Sequence, residues 1–140
     1  MSKVAIVFWS GTGNTQTMAN AVKTGAEGTG ASVDMFSPSE FNASMVSSYD
    51  AIAFGCPAMG AEVLEETEFD PMFTSLENSL SGKKVVLFGS YGWGDGQWMR
   101  DWESRCVSDN ATLVTESVIA NNAPTSDDLE KCTALGRAIA

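Results

Sequence analysis

The sequence predicts an α/β protein in which a parallel sheet is covered by helices on both faces. Two observations lead there. Residues 4–8, 51–54 and 85–88 are apolar without interruption, the pattern of strands buried on both faces. Between and after these runs apolar residues recur at helical spacing, so strand and helix alternate about five times along the chain.

Taken in order, residues 4–8 form the first central strand. Met18, Val22 and Ala26 make the stripe of the first helix. Residues 31–36 are mixed, with Val33 and Met35 alternating against Ser32 and Asp34, which suits an edge strand. Residues 39–46 carry a short, less regular helical pattern. After residues 51–54, Phe69, Met72, Phe73, Leu76 and Leu80 stand at i, i+3, i+4, i+7 and i+11, and Asp70 with Pro71 suits a first helical turn. Residues 85–88 are the next central strand. Trp98, Trp102 and Cys106 mark the helix behind Gly96, residues 111–114 a short final strand, and Leu129, Cys132 and Ile139 the last helix. No repeat, linker or low-complexity tract interrupts this alternation, so residues 1–140 are expected to form a single domain.

Composition narrows the function. The formal net charge of −10 makes nucleic acid and anionic membranes poor partners, because every phosphate contact would work against long-range repulsion. Basic protein surfaces suit it better. The chain has no histidine, which removes the usual general base and the commonest metal ligand, so redox chemistry has to come from a bound cofactor. Cys56, Cys106 and Cys132 are odd in number and far apart, as expected of reduced buried thiols. The apolar run at residues 4–9 is too short to cross a bilayer, and the first residues lack the pattern of a secretory signal. A cytoplasmic location is the expectation.

Ligands of such sheets bind beyond the carboxyl ends of the strands, where the winding reverses, and three loops at those ends are unusual. Ser10, Gly11, Thr12, Gly13, Asn14 and Thr15 follow the first strand and open the first helix. Glycines let backbone N–H groups close around an anion, hydroxyls add donors, and the helix N-terminus adds partial positive charge. Gln16 stands where a P-loop or a dinucleotide fingerprint needs glycine, and Thr17 where a P-loop needs lysine, so neither motif is present. The second loop runs from Gly55 through Cys56, Pro57, Ala58, Met59, Gly60 and Ala61 to Glu62. The third holds Ser90, Tyr91, Gly92 and Trp93 among glycines, where an aromatic can stack on a planar ring. Trp9 reads as strand-end packing, Trp98 and Trp102 as core, and Asn121 and Asn122 have no clear place.

These three loops, in this order, resemble those of the flavodoxins of the short-chain type, and the likeness covers essentially the whole chain. Flavodoxin is itself the standing example of the flavodoxin-like doubly wound sheet, a five-stranded parallel sheet of order 2-1-3-4-5 with FMN at the switch point. The resemblance implies FMN as cofactor, its phosphate held by Ser10, Gly11, Thr12, Gly13, Asn14 and Thr15. It implies ring contacts from Pro57, Ala58, Met59, Gly60, Glu62, Ser90, Tyr91, Gly92 and Trp93, with Trp93 on the outer face, Met59 on the inner face, and Glu62 accepting from flavin N3. Gly60 would allow a peptide reversal that offers a carbonyl to N5 on reduction.

The resemblance also implies a low-potential one-electron carrier working between the neutral semiquinone and the anionic hydroquinone. Such a carrier is a monomer and not an enzyme, and it passes electrons between redox proteins with basic docking surfaces. Glu62, Glu65, Glu66, Glu68 and Asp70 form an acidic run beside the second loop that would disfavour added negative charge and attract such partners. A quinone or flavin reductase would need a hydride-donor site that the sequence does not offer. A phosphorylated receiver domain would need an aspartate after residues 51–54, where Gly55, Cys56 and Pro57 stand.

Overall fold

The computed structural model describes residues 2–140. β1 (Lys3–Phe8), β3 (Ala51–Gly55) and β4 (Lys84–Tyr91) form the centre of the sheet, with β2 (Ser32–Phe36) on one side. The strand order is β2-β1-β3-β4-β5, with β5 (Thr112–Leu113) beyond β4, and every pairing in the sheet is parallel.

Alternate residues of the central strands serve opposite faces. Val4, Ile6, Ala53, Val86 and Phe88 join Met18, Val22, Cys132 and Leu135 in one core cluster. That cluster lies under α1 (Asn14–Gly28) and α4 (Ser126–Ile139). Ala5, Val7, Ile52, Phe54, Val85 and Leu87 pack with Phe69, Phe73, Trp98 and Trp102 in the other, under α2 (Phe69–Leu76) and α3 (Gln97–Ser108). This explains the uninterrupted apolar runs: each residue in them meets a helix on one side or the other.

Three elements differ from the sequence reading. The final strand is split: β5 (Thr112–Leu113) and β6 (Val118–Asn121) both lie beside β4, separated by residues 114–117. The second piece was hidden because Val118, Ile119 and Ala120 run into two asparagines, which read as a turn. Residues 39–46 form two 3-10 turns, Pro38–Glu40 and Ala43–Ser48. Asn42 caps the second, accepting from the Ser44 N–H at 3.1 Å. The stripe expected over residues 69–80 holds, but α2 stops at Leu76 and a 3-10 turn, Glu77–Ser79, delivers Leu80 to the core.

α1 is held at close range. A Cβ on Gly25 would stand 1.9 Å from the Thr133 carbonyl oxygen, and one on Gly136 would stand 2.0 Å from that of Val22. The glycines let α1 and α4 approach backbone to backbone, which fixes the direction in which the α1 N-terminus points. Among the described residues no helix is long and apolar enough to cross a membrane, and Cys56, Cys106 and Cys132 are free and buried. Burial pushes the Cys106 and Cys132 thiols up to about 12, so they stay protonated and unreactive.

Candidate cofactor site

β1, β3 and β4 end at the same edge of the sheet, and the loops that follow them enclose a cleft of about 230 Å³. Its walls are Ser10, Gly11, Thr12, Asn14 and Thr15 from the first loop and Pro57, Ala58 and Met59 from the second. Ser90, Tyr91 and Gly92 complete them, with Trp9 and Asn122. Gly13, Gly60, Glu62 and Trp93 lie outside these walls.

At one end the chain presents donors. Ser10 Oγ accepts the N–H groups of Gly13 at 3.1 Å and Gln16 at 3.3 Å, curling the loop around its own hydroxyl. Gly13 caps α1 at φ 96°, a left-handed conformation that suits glycine. Thr15 is 1% exposed, and its Oγ1 lies 3.3 Å from Ser90 Oγ. The N–H groups of Thr12, Asn14 and Thr15 reach no acceptor among the described residues. Free donors at a helix N-terminus, with no lysine or arginine in the walls, suit a phosphate ester held by neutral groups and the helix dipole. On that observation the phosphate of FMN fits this end of the cleft.

Trp9 both packs and lines the cleft. A Cβ on Gly11 would sit 2.9 Å from its ring, and its Nε1 donates to Glu68 Oε2 at 3.1 Å. Asn122, which the sequence left unplaced, adopts φ 60° and donates its N–H to the Tyr91 carbonyl at 2.7 Å. Only the pairing of β6 with β4 brings it there, and no local signal marks it.

The other end is apolar and open. β3 and β4 converge closely, since a Cβ on Gly89 would stand 2.1 Å from the Cys56 carbonyl oxygen. That carbonyl accepts from Trp98 Nε1 at 3.2 Å. Ala58 N–H donates to the Ser90 carbonyl at 3.0 Å. Met59 and Val63 exchange backbone hydrogen bonds of 2.8 and 3.0 Å, closing a tight turn in which Gly60 (φ 50°) and Glu62 (φ 55°) are left-handed. Trp93 is 65% exposed and Met59 37%, so both present apolar surface to the outside. Glu62 Oε1 accepts the Gln97 N–H at 3.1 Å.

The acidic run beside this turn is not one surface. Glu65 is 5% exposed; its carboxylate accepts the N–H groups of Thr67 (2.8 Å), Glu68 (2.7 Å) and Phe69 (2.8 Å) and the Thr67 hydroxyl. It is an internal cap for α2. Burial works against its charge, but these hydrogen bonds outweigh it and hold the carboxyl below its ordinary value. Asp70 pairs with Arg105 at 2.9 Å. The expectation that all five carboxylates share a docking role is therefore corrected. Glu66 and Glu68 remain exposed, with Glu62 half-buried beside them.

Comparison with known proteins agrees with this site. A sequence profile of the Flavodoxin family matches residues 6–136. A flavodoxin of Megasphaera elsdenii is 45% identical over 137 residues, covering 98% of each chain, and one of Clostridium beijerinckii is 45% identical over 136 residues, covering 96% of this chain and 97% of that one. The solution structure of two-electron reduced Megasphaera elsdenii flavodoxin superposes with a TM-score of 0.90 at 46% identity, covering 97% of both chains. The strand order, the cleft at its switch point and these matches agree: the chain belongs to the flavodoxin family, FMN-binding proteins that transfer electrons and are not enzymes.

Proposed function

We propose that this chain carries single electrons between redox proteins through FMN seated in the cleft beyond β1, β3 and β4. The observation that carries the seating is the set of free N–H groups at Thr12, Asn14 and Thr15. Bound FMN supplies two successive one-electron couples, of which the carrier uses the lower.

The residues divide the work. Thr12, Asn14 and Thr15 donate to the phosphate from the backbone, and the Ser10 and Thr12 hydroxyls donate alongside them. Ser10 Oγ already accepts twice, which leaves its hydrogen to give. Trp93 and Met59 cover the two faces of the ring and exclude water from it. Pro57, Ala58, Ser90, Tyr91 and Gly92 shape the slot between them. Glu62 accepts from ring N3–H. The Gly60 carbonyl accepts no backbone hydrogen bond among the described residues, so its peptide would be free to reverse and present that carbonyl to the N5 edge of the ring.

The surface completes the reading. Glu66 and Glu68, with the net charge of −10, repel electron density from the ring and draw basic faces of partner proteins. The chain acts as a monomeric, single-domain carrier in the cytoplasm. Affinities of the apoprotein for FMN and riboflavin, read by quenching of flavin fluorescence, test the seating. FMN is expected to bind at least about a hundredfold more tightly, because two or more hydrogen bonds to a charged acceptor are at stake. Equal affinities would overturn it.

A further inference from the structure

Two loops meet at one carboxylate. Glu62 Oε1 accepts the Gln97 N–H at 3.1 Å, and Gln97 is the first residue of α3, a helix whose N-cap, Gly96, has no side chain to cap it. Glu62 forms no ion pair among the described residues, and its Oε2 accepts no hydrogen bond among them. One oxygen is thus held and the other is free.

The space the carboxylate occupies is available only because residue 94 is glycine. A Cβ on Gly94 would stand 2.4 Å from Glu62 Cδ and Oε1 and 2.8 Å from Oε2. The clash falls on the far end of a flexible side chain, so a Cβ at residue 94 would turn the Glu62 carboxylate out of this place and away from the Gln97 N–H. We infer that Gly94 and the first turn of α3 form a seat that fixes the Glu62 carboxylate with its second oxygen free, which makes Gly94 a positioning residue for recognition of the flavin N3–H edge. The inference rests on the reading that Glu62 accepts from N3–H.

The seat explains why the second loop needs the third. Without a donor at Gln97 a half-exposed glutamate would sample several rotamers and meet water, and its hydrogen bond to the ring would be weakened by the cost of ordering it. With the seat filled, that cost is met during folding. Gly94 thus acts on the ring through Glu62 rather than by touching it.

The experiment compares affinities of apoprotein variants for FMN and for 3-methyl-FMN, which lacks the N3 proton. Wild type is expected to prefer FMN by at least about tenfold. Gly82 is a control for backbone strain alone, being left-handed at φ 75° with no atom within 4 Å of a Cβ, so Gly82→Ala keeps the preference. Gly94→Ala is expected to bring it close to one, and Glu62→Ala/Gly94→Ala to behave as Glu62→Ala alone. If Gly94→Ala does not fold, recovery of folding in the double variant supports the seat, since it removes the clash and leaves the strain; failure of both counts against it. Equal binding of the two flavins by wild type would overturn the reading of Glu62, and the seat with it. A wild-type preference retained in Gly94→Ala would overturn the seat alone.

Discussion

The two ends of the cleft are built by different means. The phosphate end comes from one continuous segment, residues 10–15, whose donors are aimed by a helix that α4 grips at Gly25 and Gly136. The ring end comes from two separate loops, with Gly60, Glu62 and Gly94 all left-handed, Met59 partly exposed and Trp93 largely so. An anion of fixed shape needs an array that is already formed. A ring whose protonation changes with its redox state needs walls that can respond. The first end is therefore rigid and local in sequence, and the second is assembled from a distance and held at a few posts.

Glu65 is the main post of the ring end, and removing it is the strongest way to break the contrast. Glu65→Ala leaves three backbone N–H groups at the start of α2 without their acceptor and is expected to cost roughly 2 to 4 kcal/mol of stability in urea denaturation. It should weaken FMN and riboflavin by the same factor, because it loosens the ring wall and not the phosphate loop. The effect depends on pH. The carboxyl lies below its ordinary value of 4.5, so its contribution is fully present above that pH and fades as pH falls through the lowered native value. The stability gap between wild type and Glu65→Gln should therefore narrow on acidification. A gap independent of pH would show that the charge is not what holds the turn.

At the phosphate end, Thr12→Val is expected to weaken FMN by about 1.5 to 3 kcal/mol and to leave riboflavin unchanged. Thr15→Val should add a loss of stability, since the buried Ser90 hydroxyl loses its neighbour at 3.3 Å. Parallel losses for both flavins in Thr12→Val would erase the distinction between the two ends.

Gly60→Ala sharpens the contrast on the ring side. Gly60 is left-handed before any reversal of its peptide, so alanine should cost the apoprotein about 1 to 2 kcal/mol. Any shift of the upper midpoint measures only the extra strain of the reversed arrangement, at about 2.3 kcal/mol per 100 mV. Spectroelectrochemical titration decides the matter: a stability loss with an unmoved upper midpoint would mean that the turn does not reverse.

The smallest effect belongs to the exposed carboxylates. Each is worth roughly 0.3 to 0.7 kcal/mol at about 12 Å and an effective dielectric of about 40 to 80. Glu66→Gln/Glu68→Gln should then raise the lower midpoint by about 30 to 60 mV and flatten the salt dependence of electron transfer. Glu65 is left in place because its carboxylate caps α2 and its loss would confuse charge with folding. Unchanged potential and salt dependence would confine the docking role to other acidic residues.

The sequence by itself determined the sheet, its buried strands and the glycine- and hydroxyl-bearing loop that opens α1 with free donors. Those depend on short-range patterns: runs of apolar residues for β1, β3 and β4, periodic stripes for the helices, and a loop curled on the Ser10 hydroxyl, whose partners Gly13 and Gln16 lie within six residues. The tertiary structure alone decided which neighbouring carboxylates face inward. Glu65 and Glu66 are indistinguishable as letters, yet one caps a helix in the core and the other meets solvent, because the direction of a side chain in an irregular turn follows from contacts made elsewhere. The same holds for Asn122, carried to the cleft by strand pairing, and for Gly94, whose missing Cβ matters only because Glu62, thirty-two residues earlier, needs the space.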